Sequence, residues 1–116
     1  MNQTALLKFT AAWPGVEAGT KWEDDLVFTV AGKMFCATCL RGPHKGSISF
    51  KVEDERFLEL TERPGFIPAP YLARAHWVQL PVASAIPRDE LRQLIRRSYE
   101  LVRAKLPKKT QQALAD

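Results

Sequence analysis

The chain has 116 residues, with 17 Lys and Arg against 13 Asp and Glu, so its formal net charge is +4. That length predicts one domain, residues 1–116, whose core needs no metal or disulfide staple. With two cysteines and no apolar run near the length of a membrane span, the composition argues against a disulfide-rich secreted domain and a transmembrane protein. Because Lys8 interrupts the early apolar run, we expect no signal peptide. Two cysteines imply no disulfide framework, so we expect a reducing, cytoplasmic setting. The small positive excess permits an acidic partner without requiring one.

The predicted elements follow from where apolar residues repeat and where turn formers interrupt them. In chain order they are a helix at residues 4–13, strands at 22–30, 33–40 and 47–52, a helix at 53–63, an extended edge at 66–71, a strand at 76–82 and a helix at 88–105. We expect residues 16–21 to be a link and residues 108–116 to be a frayed tail. Because a sheet with one apolar face must be covered, this order predicts an α+β two-layer sandwich with an antiparallel sheet.

Residues 63–78 are the least generic part of the chain, since they hold three prolines, a glycine and several rings. Pro64-Gly65 ends the preceding helix, because proline restricts the residue before it and glycine takes the left-handed turn. Two later prolines favour an extended edge over a central strand. Phe66, Tyr71 and Trp77 are available to a core or to a binding surface. Core packing is favoured for Trp77, whereas Tyr71 is expected to be partly exposed.

Six blocks of the sequence, in order, resemble the signature of the MmcQ/YjbR family of small bacterial proteins. The blocks are Gly32-Lys33-Met34-Phe35, Ile48-Ser49-Phe50-Lys51-Val52, Pro64-Gly65-Phe66-Ile67-Pro68-Ala69-Pro70-Tyr71-Leu72, His76-Trp77-Val78, Ser98-Tyr99 and Leu106-Pro107. The resemblance extends from Trp22 to Lys109. It implies the element order α-β-β-β-α-β-β-α, similar to type III secretion chaperones and described as a double wing. It also implies DNA binding, on structural analogy alone, and it brings no catalytic residues to this chain.

No set of residues predicts catalysis or metal binding. Cys36 and Cys39 have the spacing of a zinc or redox pair, but residues three apart on a strand point to opposite faces. A metal site would also need His44 and His76, whose spacings match no common zinc module. Ser98 falls on the apolar stripe of the last helix, where we expect its hydroxyl to bond a carbonyl one turn back. We therefore expect a protein that is not an enzyme and that needs no cofactor or metal.

Basic residues are the best functional lead. Three of them lie within about 40° of one another on the last helix, opposite its apolar stripe, where they form either a solvated face or a binding face. Others lie at a loop tip and beside the edge segment. The expected nucleic-acid contacts are Arg41, His44, Lys45, Arg63, Arg74, Arg92, Arg96 and Arg103. If they share one side of the molecule, they predict weak, salt-dependent binding to the phosphate backbone of duplex DNA.

Protein interaction, as in a chaperone-like module, is the competing hypothesis. It relies on the exposed aromatic and proline edge at residues 64–72, with Phe66 and Tyr71 as the partner-binding residues. It predicts an exposed apolar patch or a dimer instead of a contiguous positive face. Otherwise the sequence favours a monomer that contacts no membrane. A small-ligand site between sheet and helix is a third option.

Overall fold

The computed structural model describes residues 1–114 and places four α-helices and six strands within them. The elements are α1 (Gln3–Thr10), β1 (Val16–Lys21), β2 (Asp25–Val30), β3 (Lys33–Cys39), β4 (Ile48–Lys51), α2 (Asp54–Thr61), β5 (Ile67–Pro68), β6 (Trp77–Leu80), α3 (Arg88–Ala104) and α4 (Lys108–Leu114). Short 3₁₀ turns occupy Ala73–Ala75 and Ala83–Ala85. The predicted α+β class is confirmed, with one strand and one helix more than the predicted order contains.

The strands form one antiparallel sheet in the order β1-β2-β3-β4-β6-β5, so β1 and β5 are its edges. Successive side chains of a strand point to opposite faces. On one face Phe28, Val30, Phe50, Val78 and Leu80 are fully buried. Helices α1, α2 and α3 cover this face, and all three contribute leucines to the same core.

Helix α3 is the main element of the helical layer and follows the predicted bounds closely. Asp89 and Glu90 in its first turn complement the positive end of the helix dipole. Leu91, Leu94 and Ile95 are buried along one stripe, as helical spacing predicts. The stripe packs across β2, β3 and β4, so α3 lies over the centre of the sheet.

Ser98 continues this stripe, but its predicted hydrogen bond is wrong. The pairing of β2 with β3 shifts register between Phe28 and Thr29, which leaves Phe35 as an extra residue without a partner in β2. The hydroxyl of Ser98 donates to the carbonyl of Phe35 at 2.6 Å and accepts from the N–H of Lys51 at 2.9 Å. A buried serine on α3 therefore satisfies the free carbonyl of a β-bulge and ties two strands to the helix.

Two segments differ from the sequence-based expectation. Residues 16–21 form the edge strand β1 instead of a link. Residues 108–114 form α4 instead of a frayed tail; residues 115–116 of that predicted tail lie outside the described residues. The amide of Gln111 donates to the carbonyls of Ala104 and Leu106 at 3.1 and 2.7 Å, which joins α4 to the end of α3. Leu114 lies against Gly15, so α4 packs back onto the start of the sheet.

The stretch at residues 63–78 has the predicted form. α2 ends at Thr61, Gly65 adopts a left-handed φ of 96°, and β5 is a two-residue edge. Phe66 and Trp77 are buried, whereas Tyr71 is fully exposed. None of the described helices is long and apolar enough to cross a membrane.

Candidate binding surface on the open face of the sheet

The second face of the sheet, which we call the open face, lies opposite the helical layer. The register of the strands places Val27, Ala37, Ser49, Gln79 and Ile67 in one row across it. Ala37, Ser49 and Gln79 at the centre of this row are small or polar, whereas Val27 and Ile67 at its ends are apolar, with Val27 buried and Ile67 exposed. The amide of Gln79 donates to the hydroxyl of Ser49 at 3.3 Å, so neighbouring strands are also linked by their side chains here.

A groove of about 720 Å³ runs along the open face. Ala37, Ser49 and Gln79 lie in its floor, and Met34 contributes to its wall. Its borders come from the turn between β1 and β2 on one side and from the segment after β5 on the other. A concavity of this size, lined by apolar and aromatic side chains with a few polar groups among them, is typical of a ligand-binding site.

Two exposed rings stand at opposite borders of this groove. Trp22 is 68% exposed and Tyr71 is 103% exposed. Each has a left-handed backbone, with φ of 51° and 65°. This conformation is rare for bulky residues and costs about 1 to 3 kcal/mol, and such strain concentrates at functional positions. The fold therefore holds two aromatic side chains in solvent, against both the hydrophobic effect and backbone preference.

Trp22 is absent from the residues predicted for the site, because residues 22–24 were expected to begin a strand. They form a turn instead, with Glu23 also left-handed at a φ of 66°. The signal in the sequence was a large ring followed directly by three acidic residues, Glu23, Asp24 and Asp25. Such a polar run marks a solvated turn, and the three residues after Trp22 offer its ring no apolar side chain to pack against.

The loop between β3 and β4 places its basic residues near one end of the groove. His44 lines the groove, and Arg41 and Lys45 belong to the same exposed loop. The guanidinium of Arg41 lies 3.8 Å from the carboxylate of Asp24, with both side chains more than half exposed. Arg74 is exposed just beyond Leu72, which lines the opposite border. Of the predicted basic set, His44 therefore lines the groove, whereas Arg41, Lys45 and Arg74 are exposed close in the chain to residues that line it.

Arg63 has a structural contact elsewhere. Its guanidinium donates to both carboxylate oxygens of Glu90 at 2.7 and 3.0 Å and lies 5.2 Å from the centre of the Phe66 ring. The hydrogen bond from Arg63 lowers the pKa of Glu90. This pair joins the end of α2 to the start of α3. Phe66 itself is 4% exposed, so this predicted partner-binding residue belongs to the core.

The arginines of α3 are also engaged within the molecule. Arg92 pairs with Asp89 at 3.1 Å, and Arg103 donates to the hydroxyl of Tyr99 at 3.0 Å. Arg96 lies over the rings of Trp13 and Tyr99 at 4.9 and 4.8 Å. Because α3 covers the other face, the sheet separates these arginines from the groove. The predicted basic groups therefore do not form one contiguous face.

Burial shifts the pKa of one titratable group at the groove and of one in the core. Burial, and to a smaller extent Asp24, raises the pKa of Asp25 at the groove border. Burial raises the pKa of the Cys36 thiol to about 12, which keeps it protonated and unreactive near neutral pH. Cys39 lines the groove, and its thiol donates a hydrogen bond to the carbonyl oxygen of Arg41. Residues 1–114 contain no group of three His, Cys, Asp or Glu side chains able to hold a metal ion.

Fold and surface together define a small α+β domain whose helices cover one face of an antiparallel sheet and leave the other face open. Residues 11–101 match the sequence model of the YjbR family, so the chain belongs to this family. The resemblance found in the sequence is thereby confirmed. No curated protein matches the chain.

Two solved structures share the fold. The crystal structure of the Deinococcus radiodurans protein DR2400, with a DUF419 domain, has a TM-score of 0.85 and 26% identity, over 97% of this chain and 87% of that chain. A protein from Pseudomonas syringae has a TM-score of 0.71 and 22% identity, over 87% of this chain and 98% of that chain. These similarities establish the architecture, which does not by itself determine a function.

Proposed function

We propose that this protein is a non-enzymatic nucleic-acid-binding module that takes a single-stranded segment along the open-face groove. The observation that carries the proposal is the pair of exposed rings, Trp22 and Tyr71, held on left-handed backbone at opposite borders of the groove. Aromatic side chains on an open sheet stack with unpaired bases, and each stacked base contributes about 1 to 3 kcal/mol.

Single-stranded nucleic acid fits this surface better than the backbone of a duplex. Duplex recognition through phosphates requires several cations on one side, whereas Arg92, Arg96 and Arg103 lie in the helical layer and are already engaged. The bases of a duplex are stacked on one another and are not available to Trp22 and Tyr71. In a single strand the same rings can contribute directly.

The basic residues near the groove supply a small electrostatic contribution. Arg41, Lys45 and Arg74 are exposed at its two sides. If these three cations each neutralise one phosphate, the logarithm of the binding constant should fall with the logarithm of salt concentration with a slope of about −2. Stacking does not depend on salt in this way, so appreciable affinity should persist when the electrostatic part is screened.

Fluorescence anisotropy of a labelled oligo(dT) of about 12 nucleotides, a length suited to one small domain, tests this proposal. Trp22→Ala and Tyr71→Ala should each weaken binding about tenfold or more. Leu58→Ala is the matched control, since Leu58 is 70% exposed on α2 and distant in the fold from the open face. Failure of the wild-type protein to bind oligo(dT), or equal binding by all three variants, would reject the proposal.

An extended peptide from a protein partner is the second candidate for the same groove. Ile67, Pro68 and Pro70 are exposed beside Tyr71, and this apolar border favours a peptide. Selection from a phage-displayed library of random peptides distinguishes the two. Recovery of peptides whose binding requires Tyr71, together with no binding of oligo(dT), would favour the protein-interaction hypothesis.

We also propose that the protein is not an enzyme and that it is cytoplasmic. Asp25, Cys39 and His44 line the groove, and among the described residues no hydrogen bond links any two of them. An activated nucleophile would need such a neighbouring base. Both cysteines carry free thiols, which suits a reducing compartment.

A further inference from the structure

β1 is an edge strand with an accessible outer side. Every residue from Glu17 to Lys21 is exposed. The N–H of Ala31 donates to the Gly15 carbonyl at 3.1 Å, whereas the N–H of Val16 donates back to Trp13 at 3.2 Å and away from β2. Backbone groups alternate in direction along an antiparallel strand. The odd-numbered residues of β1 therefore bond to β2, and the even-numbered residues direct their N–H and C=O groups outward.

The outward groups restrict how a second copy of β1 could pair with the first. Outward residues must face outward residues, so an antiparallel pair can centre on Glu17, Ala18, Gly19 or Thr20. Pairing centred on Glu17 places this residue opposite its own copy, and only the registers centred on Ala18 and Gly19 pair five of the six residues of the strand. Pairing centred on Ala18 places Glu17 opposite Gly19. Pairing centred on Thr20 places Glu17 opposite an acidic residue of the following turn. Only pairing centred on Gly19 sets Ala18 opposite Thr20 and Glu17 opposite Lys21, twice over by symmetry.

We propose that two copies of this chain associate through β1, antiparallel and centred on Gly19, to form one continuous sheet. In this register the outward N–H and C=O groups of Ala18 and Thr20 pair across the interface. Glu17 and Lys21 meet as close cross-strand pairs of opposite charge, which stabilise a sheet. The proposal is independent of the ligand of the open face.

Charged residues on an edge usually prevent such association. Here their order gives the opposite result, because a two-fold axis through Gly19 exchanges the positions of Glu17 and Lys21. Isologous interfaces of this kind are the commonest route to a dimer. The sequence predicts a link at residues 16–21 and favours a monomer. Because these residues form an edge strand instead, they offer backbone groups with which a second copy can pair.

The association should be weak, since a six-residue edge buries far less area than the roughly 1,600 Å² of a standard interface. Sedimentation velocity over a range of protein concentrations should therefore reveal a dimer that forms reversibly and weakens with salt. Glu17→Lys and Lys21→Glu each replace two attractive pairs by two repulsive ones. The dissociation constant of the dimer should be about tenfold or more higher for each variant alone than for the wild-type protein.

An equimolar mixture of the two variants is the decisive sample. In a heterodimer every position 17 again faces a charge of opposite sign at position 21, so the mixture should dimerise about as well as the wild-type protein. Both residues are exposed, and circular dichroism should show unchanged folding. A wild-type protein that is monomeric up to about 1 mM, single variants that dimerise normally, or a mixture that stays monomeric would each overturn the proposal.

Discussion

Ser98 is a polar residue of the core whose removal should lower stability. Its buried hydroxyl bonds the carbonyl of Phe35 and the N–H of Lys51 at once. Ser98→Ala leaves both backbone groups without this partner, and each unsatisfied buried group costs about 1 to 3 kcal/mol. We expect the free energy of unfolding in urea to fall by about 2 kcal/mol or more. Ser84→Ala, at an exposed serine, should change it by less than about 0.5 kcal/mol; an equally small loss for Ser98→Ala would contradict this role.

The ion pair between Arg63 and Glu90 gives stability a pH dependence in the acid range. Because Arg63 lowers the folded-state pKa of Glu90, the pair's contribution is complete above the ordinary glutamate pKa of about 4.3. It is lost as pH falls through the lower folded-state value. Both side chains are about one third exposed, so the contribution should stay below about 1 kcal/mol.

Urea unfolding at neutral and acid pH measures this contribution. The wild-type protein should lose more stability on acidification than Glu90→Gln does. Glu62→Gln is the control, because Glu62 is exposed and has no ion pair within residues 1–114. Identical acid sensitivity of the wild-type protein and Glu90→Gln would show that the pair contributes nothing.

For single residues, the sequence predicted which face of a helix a side chain occupies, but not its hydrogen-bond partner. Helical spacing placed Ser98 on the apolar stripe. Its hydrogen bond to Phe35 depends on a bulge 63 residues away in the chain, and local spacing carries no information on that register. Tyr71 was predicted to be exposed because two prolines precede it, and that prediction is correct.

Among the elements, the turn after α2 should be especially sensitive to substitution. Gly65 has a φ of 96°, and a Cβ at this position would lie 2.8 Å from the Cβ of Ala85. Gly65→Ala therefore combines backbone strain with crowding and should destabilise the protein by about 1 to 3 kcal/mol. Adding Ala85→Gly should recover only the part due to crowding.

Gly19→Ala is the matched control for this substitution, since Gly19 lies in a strand with nothing within 4 Å of an added Cβ. Thermal unfolding should show little change for this variant. A Gly65→Ala protein as stable as Gly19→Ala would mean that the turn tolerates a side chain.

The two elements that the sequence did not predict, β1 and α4, were missed for the same physical reason. β1 is exposed along almost its whole length, so it lacks the alternation of apolar and polar residues that identifies a strand. Residues 16–21 are a strand because they form backbone hydrogen bonds with β2. α4 buries none of its residues completely and depends on Gln111 and Leu114 for its attachment. Elements held by tertiary contacts leave weak signals in the sequence, whereas α3, with its long apolar stripe, was predicted within one residue.

For the whole molecule, the sequence predicted the class of fold and the presence of basic residues but not their arrangement. Sequence spacing showed that Arg92, Arg96 and Arg103 share a side of one helix. It could not show that a sheet separates them from the loop of Arg41 and Lys45, because layer order is a property of the complete fold. The groove was missed for the same reason, since its floor combines single residues from several strands.

The proposed function requires the ligand to lie on the open face, and chemical-shift mapping tests this most directly. In ¹⁵N-labelled protein titrated with oligo(dT), we expect the largest amide shifts at Ala37, Ser49 and Gln79, together with the indole N–H of Trp22. Shifts confined to α3, around Arg92 and Arg96, would place the ligand on the helical layer and contradict the proposed function.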